Sequence, residues 1–133
     1  MNLEKEFVNY EIALELKELG FDEPCLAQYS DKSLCQHGYG KVKQGNLLSY
    51  NCITPLYQQA FRWFREKYNL NHFIDNTRNE GNYKYSIYKR EKSESVFYYK
   101  WNVQCYSNID YEIYEEAELE CLKKLIEIVK QNK

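Results

Sequence analysis

Apolar positions recur at helical spacing in three stretches of the chain and alternate at strand spacing in two. Val8, Ile12, Leu16 and Leu19, with Ala13 beside them, predict a helix over Tyr10–Leu19. Asn9 suits its N-cap, and Gly20 suits the left-handed residue that ends it, with Phe21 folding back on Leu16. Tyr57, Ala60, Phe61, Phe64 and Tyr68 form a second stripe, with Thr54 expected as N-cap and Pro55 as first helical residue. Asn69 then supplies a left-handed cap and Leu70 the hydrophobic contact beyond it. Ala117, Cys121, Leu122, Leu125, Ile128 and Val129 predict a last helix from about Tyr114 to Gln131. Glu115, Glu116 and Glu118 stand near its positive end and Lys130 near its negative end.

Strand signals are weaker before the second helix than after it. Cys25–Ser30 reads as a strand, Asp31-Lys32-Ser33 as a turn, His37–Lys41 as a loop or irregular strand, and Leu47–Ile53 as a second short strand. Asn71–Asn82 reads as a polar loop. Tyr83–Lys89 alternates, with Tyr83, Tyr85 and Ile87 on one face and Lys84, Ser86 and Tyr88 on the other. Arg90–Ser95 reads as the turn into Val96–Tyr106. There Phe97, Tyr99, Trp101, Val103 and Cys105 predict a core face, and Tyr98, Lys100, Asn102 and Gln104 a wet one. The fold expected is α+β: a small antiparallel sheet of three or four strands packed by three helices, in the order α-β-β-α-β-β-α.

The 133 residues fit a single domain over residues 1–133, without repeat or linker, and 44% hydrophobic residues suffice for a core. No apolar run is long enough to span a bilayer, and the opening segment reads as neither a signal nor a transit peptide. Five cysteines, an odd number with no CxxC pair, argue against a disulfide framework and for a reducing, cytoplasmic setting. Cys105 and Cys121 read as core residues. Cys35-Gln36-His37 lacks the second ligand pair a tetrahedral zinc site needs, so no metal is expected.

Charge is distributed unevenly. Residues 1–40 hold 3 Lys against 8 acidic residues (−5), residues 41–100 hold 11 Lys and Arg against 5 (+6), and residues 101–133 hold 4 Lys against 7 (−3). This layout fits either neutralisation between segments or a basic surface for an anionic partner. The chain also carries 14 Tyr, 6 Phe and 2 Trp. Tyr83, Tyr85, Tyr88, Tyr98, Tyr99 and Tyr106 are interleaved with Lys84, Lys89, Arg90 and Lys100. Cross-strand aromatic pairing explains such a hairpin structurally. Functionally, a Tyr/Lys surface can stack a base or hold a phosphate. Arg62 and Arg65 beside an exposed Trp63 suit a phosphate, a planar ligand or a protein interface.

Catalytic spacings are scarce. His37 and His72 are the only histidines, and neither has a nucleophile or carboxylate at a recognisable interval. Gly38-Tyr39-Gly40 does not lie between a strand and a helix, HExxH and GxSxG do not occur, and Glu115, Glu116, Glu118 and Glu120 read as a solvated helix face.

Three segments resemble a small uncharacterised protein family of Bacteroidetes genomes, their phages and mobile elements. They are Ile12–Cys25 (IALELKELGFDEPC), Leu56–Tyr68 (LYQQAFRWFREKY) and Tyr114–Val129 (YEEAELECLKKLIEIV). The chain departs from that family's wording at Asn69, where Gly is common, and at Ile113, where a Ser or Thr cap is common. The resemblance implies a source and no chemistry. The expected function is a non-enzymatic binding module acting on a host protein, without a cofactor. The alternatives are a nucleotide or nucleic-acid binder, including one that sequesters a nucleotide signal, and a hydrolase or nuclease with an unrecognised site. The candidate binding residues are Arg62, Trp63, Arg65, Lys84, Tyr88, Tyr98 and Lys100, with Arg62, Arg65, Lys84 and Lys100 expected on one outward surface.

Overall fold

A computed structural model describes residues 3–37, 40–77, 81–92 and 99–132. By backbone proximity the chain divides into two compact units, Met1–Ala60 and Phe61–Lys133. The class is α+β, with three helices and antiparallel strands in the expected alternation. Each group of strands contains one more than the sequence pattern suggests.

The first unit holds helix α1 (Tyr10–Glu18) and strands β1 (Ala27–Ser30), β2 (Ser33–Gln36) and β3 (Cys52–Thr54), ordered β2-β1-β3. Asn9 caps α1 as its sequence suggests: its Oδ1 accepts from the Ile12 amide at 2.9 Å. Gly20 takes φ +96°, so the Gly20 amide reaches the Lys17 carbonyl and the Phe21 amide the Leu16 carbonyl. That closure buries Phe21 with Ile12, Ala13, Leu16 and Leu19. The turn expected at Asp31-Lys32-Ser33 forms, with Asp31 and Lys32 both at positive φ. Strand β2 after it was hidden because Ser33–Gln36 is largely exposed and shows no apolar alternation.

The Thr54 cap expected for the second helix is not formed. Thr54 ends β3, and its hydroxyl donates to the Val8 carbonyl at 2.5 Å. The Pro55 carbonyl accepts from the Val8 amide at 2.9 Å. Helix α2 therefore starts later, over Tyr57–Tyr68, and the division between the units falls inside it.

In the second unit β4 (Leu70–Asn76), β5 (Tyr83–Lys92) and β6 (Tyr99–Tyr106) form a sheet ordered β4-β5-β6, followed by α3 (Tyr114–Gln131). Asn69 takes φ +58° after α2, as expected, and its carbonyl accepts from the Arg90 amide. Strand β4 replaces the first half of the predicted polar loop. Leu70, His72 and Ile74 pair with Lys89, Ile87 and Tyr85, while Phe73 and Asp75 pair with Ser86 and Lys84. Ala117, Cys121, Leu122, Leu125 and Val129 of α3 are buried as predicted, together with Ile126. No helix among the described residues is long and apolar enough to cross a membrane.

Candidate functional site

Alternation gives the second sheet two unlike faces. Leu70, Tyr85 and Ile87 are buried on the face carrying His72, whose ring stacks on Phe61 of α2 at 3.6 Å between centroids. Helix α3 packs against β4 and β5. Burial first, and the Arg65 charge second, lower the His72 pKa from 6.5 to about 4, so the imidazole is neutral near pH 7. A groove lined by Tyr68, Leu70, Lys89, Glu91, Ile128 and Val129 places Lys89 and Glu91 on this helix-covered side.

The opposite face is open. Strand β6 carries an irregularity at the Ile87/Tyr88 step: Ile87 pairs with Cys105 but Tyr88 pairs with Val103, leaving Gln104 as an extra residue. This corrects the predicted core face of β6. Cys105 keeps to the side of Ile87, whereas Val103 and Trp101 turn to the side of Tyr88 and Arg90. Trp101, expected to be buried, is 49% exposed. Phe73 is 46% and Tyr106 57% exposed, and Val103 is exposed beside them. The Phe73 and Tyr88 rings meet edge to face at 5.5 Å and 78°, and Tyr88 meets Tyr106 at 6.3 Å and 90°. A hydrogen bond shared with Tyr88 raises the Tyr106 hydroxyl pKa. Ser86, paired with Phe73 and Tyr106 on this face, is buried despite facing outward. Phe73, Asp75, Ser86, Tyr88 and Trp101 line an open depression of about 350 Å³.

The predicted site residues are dispersed. Lys84 and Tyr88 belong to the open face; the Lys84 ammonium lies 3.6 Å from Asp110. Arg62 and Arg65 are exposed on α2, which contributes Phe61 to the covered side. Lys100 pairs with Glu91, so its register position is also on the covered side. The sheet therefore separates Lys84 from Arg62, Arg65 and Lys100, and the single basic surface expected of these four does not form. Trp63, expected to be exposed, is buried at 5%. It meets Phe64 and Tyr68 edge to face, and Lys67 extends over its ring at 5.1 Å. The α2 stripe is thus wider than predicted. Tyr98 lies outside the described residues.

Phe73, Asp75, Ser86, Trp101 and Tyr106 were not among the candidate binding residues, although Ser86 and Tyr106 were read on the hairpin and Trp101 was assigned to its core face. The signal for β4 was the alternation Leu70, His72, Ile74 against Phe73 and Asp75, obscured by His72 standing in an apolar position. No sequence signal marks the extra residue Gln104.

The titratable groups elsewhere are poorly set up as nucleophiles. Burial raises the Cys25 thiol to about 12 and pushes Cys52 and Cys121 up as well. Burial also raises Tyr85, helped by the charges of Cys105 and Tyr111 and by a hydrogen bond with Cys105. His37 is engaged with the Gln28 side chain at 3.0 Å. Among the described residues no group of three or more His, Cys, Asp or Glu is placed to hold a metal ion. No family model, curated protein or solved structure matches the chain.

Proposed function

We propose that this protein is a non-enzymatic binding module that docks a partner protein on the open face of its β4–β5–β6 sheet. One observation carries this reading: Phe73, Trp101, Val103 and Tyr106 are all exposed on the same side of one sheet, around the half-buried Tyr88. Scattered surface apolar residues are ordinary, but a contiguous patch is a mark of recognition surfaces, and Trp and Tyr are favoured anchors there. The protonated thiols and the neutral, stacked His72 support binding over catalysis. The source implied by the family resemblance makes the partner a host protein, met in a reducing cytoplasm.

A second reading has one specific support. Arg90 pairs with Trp101 in register, an arrangement suited to a stacked nucleotide or single-stranded nucleic acid. A polynucleotide would lose affinity steeply with salt, because each neutralised phosphate releases a counterion.

A photo-cross-linking amino acid placed at Tyr106, compared with one at Lys123 on α3, tests the docking face in cells of the native host. Discrete protein adducts from Tyr106, absent from Lys123 and lost when Trp101→Ala is added, are expected. Adducts of equal yield from both positions, or adducts indifferent to Trp101→Ala, would refute the docking face.

A further inference from the structure

The depression on the open face has a composition of its own. Three aromatic rings, one carboxylate and one hydroxyl line it: Phe73, Tyr88, Trp101, Asp75 and Ser86. Asp75 is the only charged residue among the described residues that line it, and Arg90 pairs with Trp101 on the same face. Lys84 stands directly opposite Asp75 in the sheet, yet its ammonium is 3.6 Å from Asp110, and Asp75 has no ion pair among the described residues. The hollow therefore joins a free negative charge to electron-rich ring surfaces.

Ring orientation narrows the occupant. Phe73 and Tyr88 stand at 78° to one another with centroids 5.5 Å apart, forming a corner rather than a flat platform. A flat base stacks best on a parallel ring face, whereas a compact cation is attracted to each ring face within about 6 Å, whatever the angle between them. A phosphate group carried into the hollow would meet the Asp75 carboxylate, which disfavours a nucleotide and favours a cation. The volume, about 350 Å³, leaves room for an alkyl stem as well as a charged head.

We propose that Phe73, Asp75, Ser86, Tyr88 and Trp101 form an aromatic cage for the cationic head of a lysine side chain, N-methylated lysine included, presented by the partner protein. The rings supply cation–π attraction, Asp75 supplies the countercharge, and the flanking Tyr106 and Val103 cover the stem. This inference rests on the open face being the docking surface, and it adds what the partner must present there.

The test uses the full chain and small probes. Nα-acetyl-trimethyllysine amide, its unmethylated lysine counterpart, its neutral carbon isostere 2-acetamido-7,7-dimethyloctanamide and guanosine monophosphate are titrated while Trp101 emission and backbone amide shifts are followed. Trp63→Phe serves as background, so that Trp101 is the only tryptophan. The cationic probes are expected to shift the amides of Phe73, Asp75, Ser86, Tyr88 and Trp101. Binding of the neutral isostere is expected to be weaker by about five- to tenfold, the scale of a cation–π contact. Asp75→Asn, of the same shape and at an exposed position, should weaken the cations several-fold and leave the neutral probe unchanged. Phe73→Leu should weaken both while keeping an apolar side chain on the sheet. Equal binding of cation and isostere, indifference to Asp75→Asn, or tighter binding of the nucleotide would overturn the cage. If Tyr106 cross-linking survives that result, the docking face stands and only its ligand chemistry fails. If cross-linking is lost too, both fall.

Discussion

The two faces of the β4–β5–β6 sheet are built from the same residue types and behave oppositely. The covered face carries Tyr85, His72 and Cys105 with Leu70 and Ile87, and helices supply its other half. The open face carries Tyr88, Trp101, Tyr106 and Phe73, and no described element of the second unit packs over it. Polar groups pulled under the covered face change their chemistry: His72 loses its charge and Tyr85 holds its proton more tightly. On the open face Phe73, Trp101 and Tyr106 keep about half their surface in water. Aromatic content therefore says little about role here. What distinguishes core from surface is whether another layer lies above the ring, and that is decided by strand parity and the extra residue in β6.

The largest expected effect lies on the covered side. Phe61 is 1% exposed and is stacked on His72. Phe61→Ala should cost about 3–5 kcal/mol, the range for emptying a packed aromatic site. Urea unfolding measures it, and a loss below about 1 kcal/mol, too small for such a cavity, would mean that α2 does not cover this face.

The next effect is a pH dependence. The folded pKa of His72, about 4, is below the ordinary value of 6.5. Between those two values the unfolded chain takes up a proton that the native protein refuses. Stability from this group is thus fully present above about pH 6.5, falls as pH drops through the window, and levels off below about pH 4. The total is up to about 3 kcal/mol. His72→Phe keeps an aromatic partner for Phe61 and removes the proton. The stability lost between pH 7 and pH 4.5 should be smaller in that variant by about 2 kcal/mol. Parallel pH profiles for the two proteins would place His72 in solvent and erase this contrast between the faces.

The helices were legible because each is marked by agreeing local signals. Asn9 and Gly20 bracket α1, and Ala117, Cys121, Leu122, Leu125 and Val129 of the last stripe are buried as its spacing requires, with Ile128 only partly so. Strands β2 and β4 were not, for separate reasons. Ser33–Gln36 is largely exposed and carries no apolar alternation, and β4 uses His72 where a strand core normally has an aliphatic residue. Thr54 and Pro55 look like a helix start, but Thr54 has a tertiary use, its hydroxyl bonded to the Val8 carbonyl 46 residues away. Half of the candidate surface was visible as the Lys84–Tyr88 alternation. Phe73 and Asp75 were hidden with β4, and the placing of Trp101 and Val103 depends on the extra residue Gln104, since one residue in β6 decides which of Trp101 and Cys105 meets water.

The smallest effect is the one that tests this parity most directly. Trp101 is the largest side chain of its strand, and a reading from alternation alone would make its removal as damaging as that of Phe61. In the structure half of its surface already lies in water, so Trp101→Ala gives up only part of its burial and leaves no enclosed cavity. Its cost should stay below about 1 kcal/mol, near the range of surface substitutions. Fluorescence gives an independent check, because Trp63 and Trp101 are the only two tryptophans and lie in opposite environments. With Trp63→Phe the remaining emission should be red-shifted and readily quenched by acrylamide; with Trp101→Phe it should be blue-shifted and protected. The reverse pattern, or a Trp101→Ala loss equal to that of Phe61→Ala, would place Trp101 under the helices. The exposed aromatic patch, and the docking surface proposed on it, would then lose their central residue.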